Sequence, residues 1–126
     1  MISEIGELIL TSPDLQENDW ESFSLVYDIG EGHTANSGFL YDNKSIAPFF
    51  AESENDPMEI DNQILALQQE IQLTTGHKFK QLLIQMEKNT NKIKIDFEFD
   101  NPNRWSITPA NMKEMKELLR PKFDSL

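Results

Sequence analysis

From Lys92 to Asp100 the sequence alternates without a break. Ile93, Ile95, Phe97 and Phe99 are apolar, and Lys94, Asp96, Glu98 and Asp100 between them are charged. Successive side chains of a strand point to opposite faces, so this segment reads as a strand with one buried and one wet face. A strict period of two excludes a helix here. It also fixes register, because a slip of one residue carries the charged set into the core. The rest of the chain has to supply the cover for that apolar face.

A second period-two run follows Trp20, where Phe23, Leu25, Tyr27 and Ile29 alternate with Ser22, Ser24, Val26 and Asp28. The turn Gly30-Glu31-Gly32-His33-Thr34 is too short for a crossover, so Ala35 to Asp42, with Phe39 and Tyr41 on one face, is its antiparallel partner. Ile46 to Phe50 contains Pro48 and reads as an edge strand or a packed loop. Phe79 to Met86 places Leu82, Ile84 and Met86 on one face and Leu83 on the other, and the polar turn Asn89-Thr90-Asn91 joins it to the alternating strand.

Three segments carry helical spacing. Ile2, Ile5, Leu8 and Ile9 form a stripe that stops before Pro13. Asp56 and Pro57 make a helix start, Ile60, Ile64, Leu67 and Ile71 the apolar face, and Gly76 the stop. Thr108 and Pro109 open a last helix expected to bury Met112, Met115, Leu118 and Leu119. The order α-β-β-α-β-β-α predicts an α+β fold of one domain over residues 1–126. It has an antiparallel sheet of about four strands with helices packed on one face.

Charge is distributed unevenly along the chain. The protein has 11 Lys and Arg against 22 Asp and Glu, a net charge of −11. Residues 1–70 hold 15 acidic side chains and a single basic one, Lys44, whereas residues 71–126 hold seven acidic and ten basic. An acidic balance disfavours direct nucleic-acid binding, which needs a basic surface for phosphates. The lopsidedness instead predicts one strongly negative surface, suited to a basic partner or to keeping the protein soluble. No apolar run approaches the roughly 18 residues of a membrane span. The first ten residues carry Glu4 and Glu7 with no Lys or Arg, unlike a secretory signal, so a cytoplasmic protein is expected.

Catalytic chemistry has few carriers. There is no cysteine, which removes disulfides, thiolate metal sites and cysteine nucleophiles. His33 and His77 stand singly beside glycines, without a second ligand at metal spacing. Gly30 and Gly32 lack the third glycine or Lys-Ser/Thr of a phosphate loop. Asp96, Glu98 and Asp100 share the polar face of one strand and form a candidate hard-cation site for a small metal-dependent hydrolase. Lys92 and Lys94 on the same face favour an ordinary solvated surface. The carboxylates from Glu52 to Asp61 lack the glycine-bearing spacing of a calcium loop. Trp105, after Arg104, is placed either to stack with that guanidinium or to seal the core beneath the last helix.

The C-terminal third runs Lys92-Ile-Lys-Ile-Asp-Phe-Glu-Phe-Asp-Asn-Pro-Asn-Arg-Trp105, then Thr108-Pro109-Ala-Asn-Met112 and Leu118-Leu119-Arg120-Pro121. This ending resembles the YezG-like family of bacterial immunity proteins, as do the strand after Trp20 and Gly38-Phe39-Leu40-Tyr41. The stretch from Ser45 to Asp61 departs from the family pattern. The resemblance implies a cytoplasmic protein that binds and neutralises a cognate toxin domain, without catalysis or cofactor of its own, and it supplies no binding residues to carry over. Many such toxins are basic nucleases, which suits the acidic half of this chain. The contacts expected from charge are Glu31, Asp42, Glu52, Glu54, Asp56, Glu59 and Asp61, with Tyr41 as an aromatic anchor. An acidic adaptor or chaperone for basic clients is the other binding reading.

Overall fold

The computed structural model describes residues 2–30, 33–43, 45–52, 56 and 58–122, and the side chains of these except 2, 3 and 33. Its elements are α1 (Ile2–Leu10), α2 (Pro13–Glu17), β1 (Ser22–Gly30), β2 (His33–Tyr41), β3 (Ile46–Phe49), α3 (Glu59–Thr75), β4 (Gln81–Glu87), β5 (Lys92–Glu98) and α4 (Met112–Leu118). The strands form one antiparallel sheet in the spatial order β3-β2-β1-β4-β5. The α+β class and the antiparallel sheet agree with the sequence pattern. The segment with Pro48 is a fifth strand, and it lies at an edge, where a residue without an N–H is tolerated.

Register follows the alternation. Phe23 pairs with Met86, Leu25 with Ile84 and Tyr27 with Leu82, so these six point to one face. Ile84 pairs with Ile95 and Leu82 with Phe97, which adds the apolar side of β5. Ile5, Ile9, Leu15, Ile60, Ile64 and Leu67 from α1, α2 and α3 complete this core. The β5 residues Ile93, Ile95 and Phe97 are only half-buried, because β5 has a neighbour on one side alone. Among the described residues no helix is long and apolar enough to cross a membrane.

Helices do not occupy a single face, contrary to the sequence expectation. Val26, Phe39, Tyr41 and Leu83 give the middle strands a second apolar face, which is covered by Trp105, Met115 and Leu119. Both faces of β1 are therefore dry, and Phe23 to Tyr27 are buried without interruption. Leaving either set uncovered would forfeit about 1.5–3 kcal/mol for each large apolar side chain.

Polar side chains of the sheet fix this second layer. The Gln85 amide donates to Ser24 Oγ and to the Leu119 carbonyl, both at 3.0 Å, and the Ser24 hydroxyl donates to the same carbonyl. Tyr41 donates to the Lys116 carbonyl at 2.8 Å. The last carbonyls of a helix have no partner within it, and here the sheet supplies one. Gln81 is fully buried; its amide donates to the Asp28 carboxylate and to Ser106 Oγ, and its carbonyl accepts the Trp105 backbone N–H at 2.8 Å. Trp105 seals this core and also lies beneath Arg104, whose guanidinium carbon is 4.8 Å from the ring centre.

Two helix starts differ from the sequence expectation. The Asp56 carboxylate accepts the Met58 N–H at 2.9 Å and its carbonyl accepts the Glu59 N–H, so Asp56 caps the turn before α3 while Met58 is the N-cap. Thr108 and Asn111 exchange hydrogen bonds of 2.7 and 3.2 Å in a turn that delays α4 to Met112. The helix is then too short to bury its whole stripe. Met112 is 40% and Leu118 68% exposed, and only Met115 and the C-cap residue Leu119 reach the core. The stop at Gly76 is as expected, with φ of 82° and its N–H on the Gln72 carbonyl.

Gly38 lies where no side chain fits, since a Cβ there would stand 1.9 Å from the Ser24 carbonyl oxygen. Gly38→Ala is expected to lower stability by about 3 kcal/mol, the upper range of overpacking costs, in denaturant unfolding. Gln81→Ala leaves the buried Trp105 N–H without an acceptor. It is expected to cost about 1–3 kcal/mol and to red-shift Trp105 fluorescence in a Trp20→Phe background.

Candidate partner-binding surface

After β3 the chain passes Phe50, Ala51 and Glu52, and side chains from two other segments, the start of α2 and β2, hold its backbone. Asp14 accepts the Phe50 N–H at 3.0 Å, and Ser12 accepts the Glu52 N–H at 3.0 Å. Asn36 takes Ala51 on both sides, accepting its N–H at 2.8 Å and donating to its carbonyl at 3.2 Å. Alternation buries Phe49 and Ala51 and leaves Phe50 59% exposed. The strap is thus built on a seryl group buried to zero exposure and ends in an aromatic ring open to solvent.

The same contacts gather acidic residues. Asp14 on α2 meets the strap, Glu52 continues it with an exposed side chain, and Asp56 and Glu59 stand at the head of α3. Asp61, in the first turn of α3, accepts a hydrogen bond from the Tyr27 hydroxyl. Burial pushes that phenol far above its ordinary range, and the charge of Asp61 and its hydrogen bond push it further, against a smaller opposing effect of Asn36. Asp61 is half-buried and performs this inward task. Two acidic groups at the start of α3 also complement its dipole.

The other expected contacts fall elsewhere. Tyr41 is 2% exposed, with its hydroxyl on the Lys116 carbonyl and Arg120 above its ring at 5.1 Å, so it serves the core and presents no anchor. Its position in the alternation of β2, with Phe39, placed it on an apolar face; the cover on that face was not evident from sequence. Burial raises its phenol well above the ordinary range. Asp42 opens into a separate cleft of about 380 Å³ beside Lys116 and Arg120. Glu31 and Glu54 lie outside the described residues. Sequence reasoning missed Asp14 and Phe50. The alternation across Phe49 and Phe50 was a usable signal for the second, whereas nothing local marks Asp14 as an acceptor for a residue 36 positions away.

The strand carboxylates do not assemble as a cation site. Among the described residues no group of three or more His, Asp or Glu is placed to hold a metal ion. Glu98 accepts the N–H groups of Asp100 and Asn101 at 3.0 and 3.1 Å and pairs with Arg104 at 3.0 Å. Those backbone bonds, then the guanidinium, hold its carboxyl below the ordinary value of 4.5. Asp100 lies beyond the end of β5, exposed, with its N–H turned to Glu98.

A depressed folded-state pKa adds stability above the unfolded value and loses it as pH falls through the folded one. Glu98→Gln is therefore expected to melt below the parent at about pH 7, with the gap closing as pH drops beneath about 4.5. Melting curves across that range test this, and a gap that stays constant into acid would show that Glu98 is not the titrating group. Scans of the sequence against protein-family models and against curated proteins return no match.

Proposed function

We propose that this protein is an immunity protein that binds a cognate toxin domain through the acidic end formed by α2, the 50–52 strap and the head of α3. The observation that carries the reading is the fixing of the strap, which sets an exposed Phe50 beside Asp14 and Glu52 on a backbone held by Ser12, Asn36 and Asp14. A surface ordered before binding pays little ordering entropy on contact, and an exposed aromatic ring is the kind of side chain that anchors an interface. The family resemblance supports the same reading.

The partner that suits this surface is basic, and a nuclease domain is the natural kind, since its substrate requires a positive cleft. Inhibition would proceed by occlusion, with the acidic end covering that cleft in the cytoplasm of the producing cell. The excess of carboxylates in residues 1–70 would steer the encounter to rates of about 10⁸ M⁻¹s⁻¹ or more at low salt.

The test takes the toxin domain encoded by the adjacent reading frame and measures association at two salt concentrations. Glu52→Lys combined with Asp56→Asn changes charge while keeping an acceptor for the Met58 N–H. This variant is expected to slow association several-fold and to flatten its salt dependence. Phe50→Ala is expected to speed dissociation by at least about tenfold, as loss of a central aromatic does. Unchanged association and dissociation in both variants would remove the acidic end from the interface. Failure of the parent to bind or neutralise the toxin would remove the immunity reading itself.

A further inference from the structure

A second concave surface runs along α3 and differs in chemistry from the acidic end. It is a groove of about 920 Å³ whose wall includes Ile29, Met58, Leu65 and Phe79, with Lys78 and Lys80 beside them. Met58 and Leu65 are 52% and 40% exposed and stand seven residues apart, two turns along one helical face. Exposed large apolar side chains that share one concavity mark a binding surface more often than isolated ones do. Behind them Phe79 is fully buried, with its ring 5.0 Å from that of Phe97. Gln68 also lines the groove, with one N–H of its amide given to the Phe79 carbonyl at 2.7 Å and so turned to the protein.

The charge of this groove is opposite to that of the chain. The protein has twice as many acidic as basic side chains, yet among the described residues the lining contains two lysines and no carboxylate. Lys80 spends one donor on the Asp100 carbonyl at 3.1 Å, and an ammonium has three. Lys78 is exposed. The volume lies within the roughly 300–1,000 Å³ of small-molecule sites, which are mainly apolar with a few placed polar groups.

We propose that this groove binds a free single-chain amphiphile with a carboxylate head. The acyl chain lies over Met58, Leu65 and Ile29, and the carboxylate is held by Lys78 and Lys80. An apolar wall with cations beside it matches one chain and one anionic head. A basic toxin surface is the wrong charge for the lysine end of this groove, which meets the acidic end only at Met58.

Calorimetric titration of laurate below its micelle concentration, with amide chemical shifts, tests the assignment. Saturable one-to-one binding is expected, with shifts confined to residues 29–30, 58–68 and 78–80 around the groove. Lys78→Glu with Lys80→Glu is expected to weaken it by about tenfold, as two exposed charge contacts would. Leu65→Asp is expected to abolish it. All three positions are exposed, and melting curves confirm that the variants fold. Dodecanol, of equal chain length, is expected to bind more weakly than laurate. No laurate binding, shifts scattered outside the groove, or equal binding of dodecanol would overturn the proposal. So would sedimentation with phosphatidylglycerol vesicles in the absence of laurate binding, which would assign the groove to a membrane surface.

Discussion

Strand β1 has a paired neighbour along each edge and a packed layer on each face, and the positions of the other elements follow from that. Five consecutive residues, Phe23 to Tyr27, are buried, so odd and even positions each need their own cover. The larger set, Phe23, Leu25 and Tyr27, takes α1, α2 and α3. The smaller set, Ser24 and Val26, faces α4 and Trp105. An antiparallel sheet commonly keeps one wet face. This one is wet on that face toward its edges, where Lys92 and Lys94 on β5 and Pro48 on β3 are exposed.

The two layers are held by different physics. Among the described residues seventeen buried ones make up the core beneath α1, α2 and α3, and its packing is non-directional. The opposite layer has seven, too few for apolar contact alone to specify where a seven-residue helix sits. Ser24, Gln81, Gln85 and Tyr41 supply direction, because each hydrogen bond constrains an angle as well as a distance. Among the described residues no buried side-chain N or O lacks a partner, which is the condition under which such polar groups do not destabilise.

Presentation of the acidic end depends on the same economy. Asp14, Ser12 and Asn36 satisfy the backbone of an extended segment that has no strand partner beyond Phe49. Fixing that backbone is what leaves Phe50 outward, since its neighbours on either side are committed to the core. Glu52, Asp56 and Glu59 were legible as a charged surface from composition alone, because like charges resist burial in any fold. Tyr41 was misread, because an apolar face on β2 is visible in the sequence while the layer that covers it is not.

By itself the sequence determined four of the strands, the apolar face of each and their pairing in two antiparallel hairpins. Period-two alternation and short turns are local, and a slip in either would bury charge or expose the core. It also determined the end of α1 ahead of Pro13, the stop at Gly76 and the separation of an acidic from a mixed half, which are matters of residue type. Only the tertiary structure decided that α4 covers the opposite face, that Gln81 and Gln85 are buried clamps, and that Phe50 stands out beside Asp14. Each of these depends on contacts between residues from 15 to 95 positions apart, such as Ala51 with Asn36 and Ser24 with Leu119. Hydrophobic periodicity records which face of an element is apolar. It carries no information on which distant segment will satisfy a buried amide or carbonyl, because that partner is chosen by the packing of the whole chain.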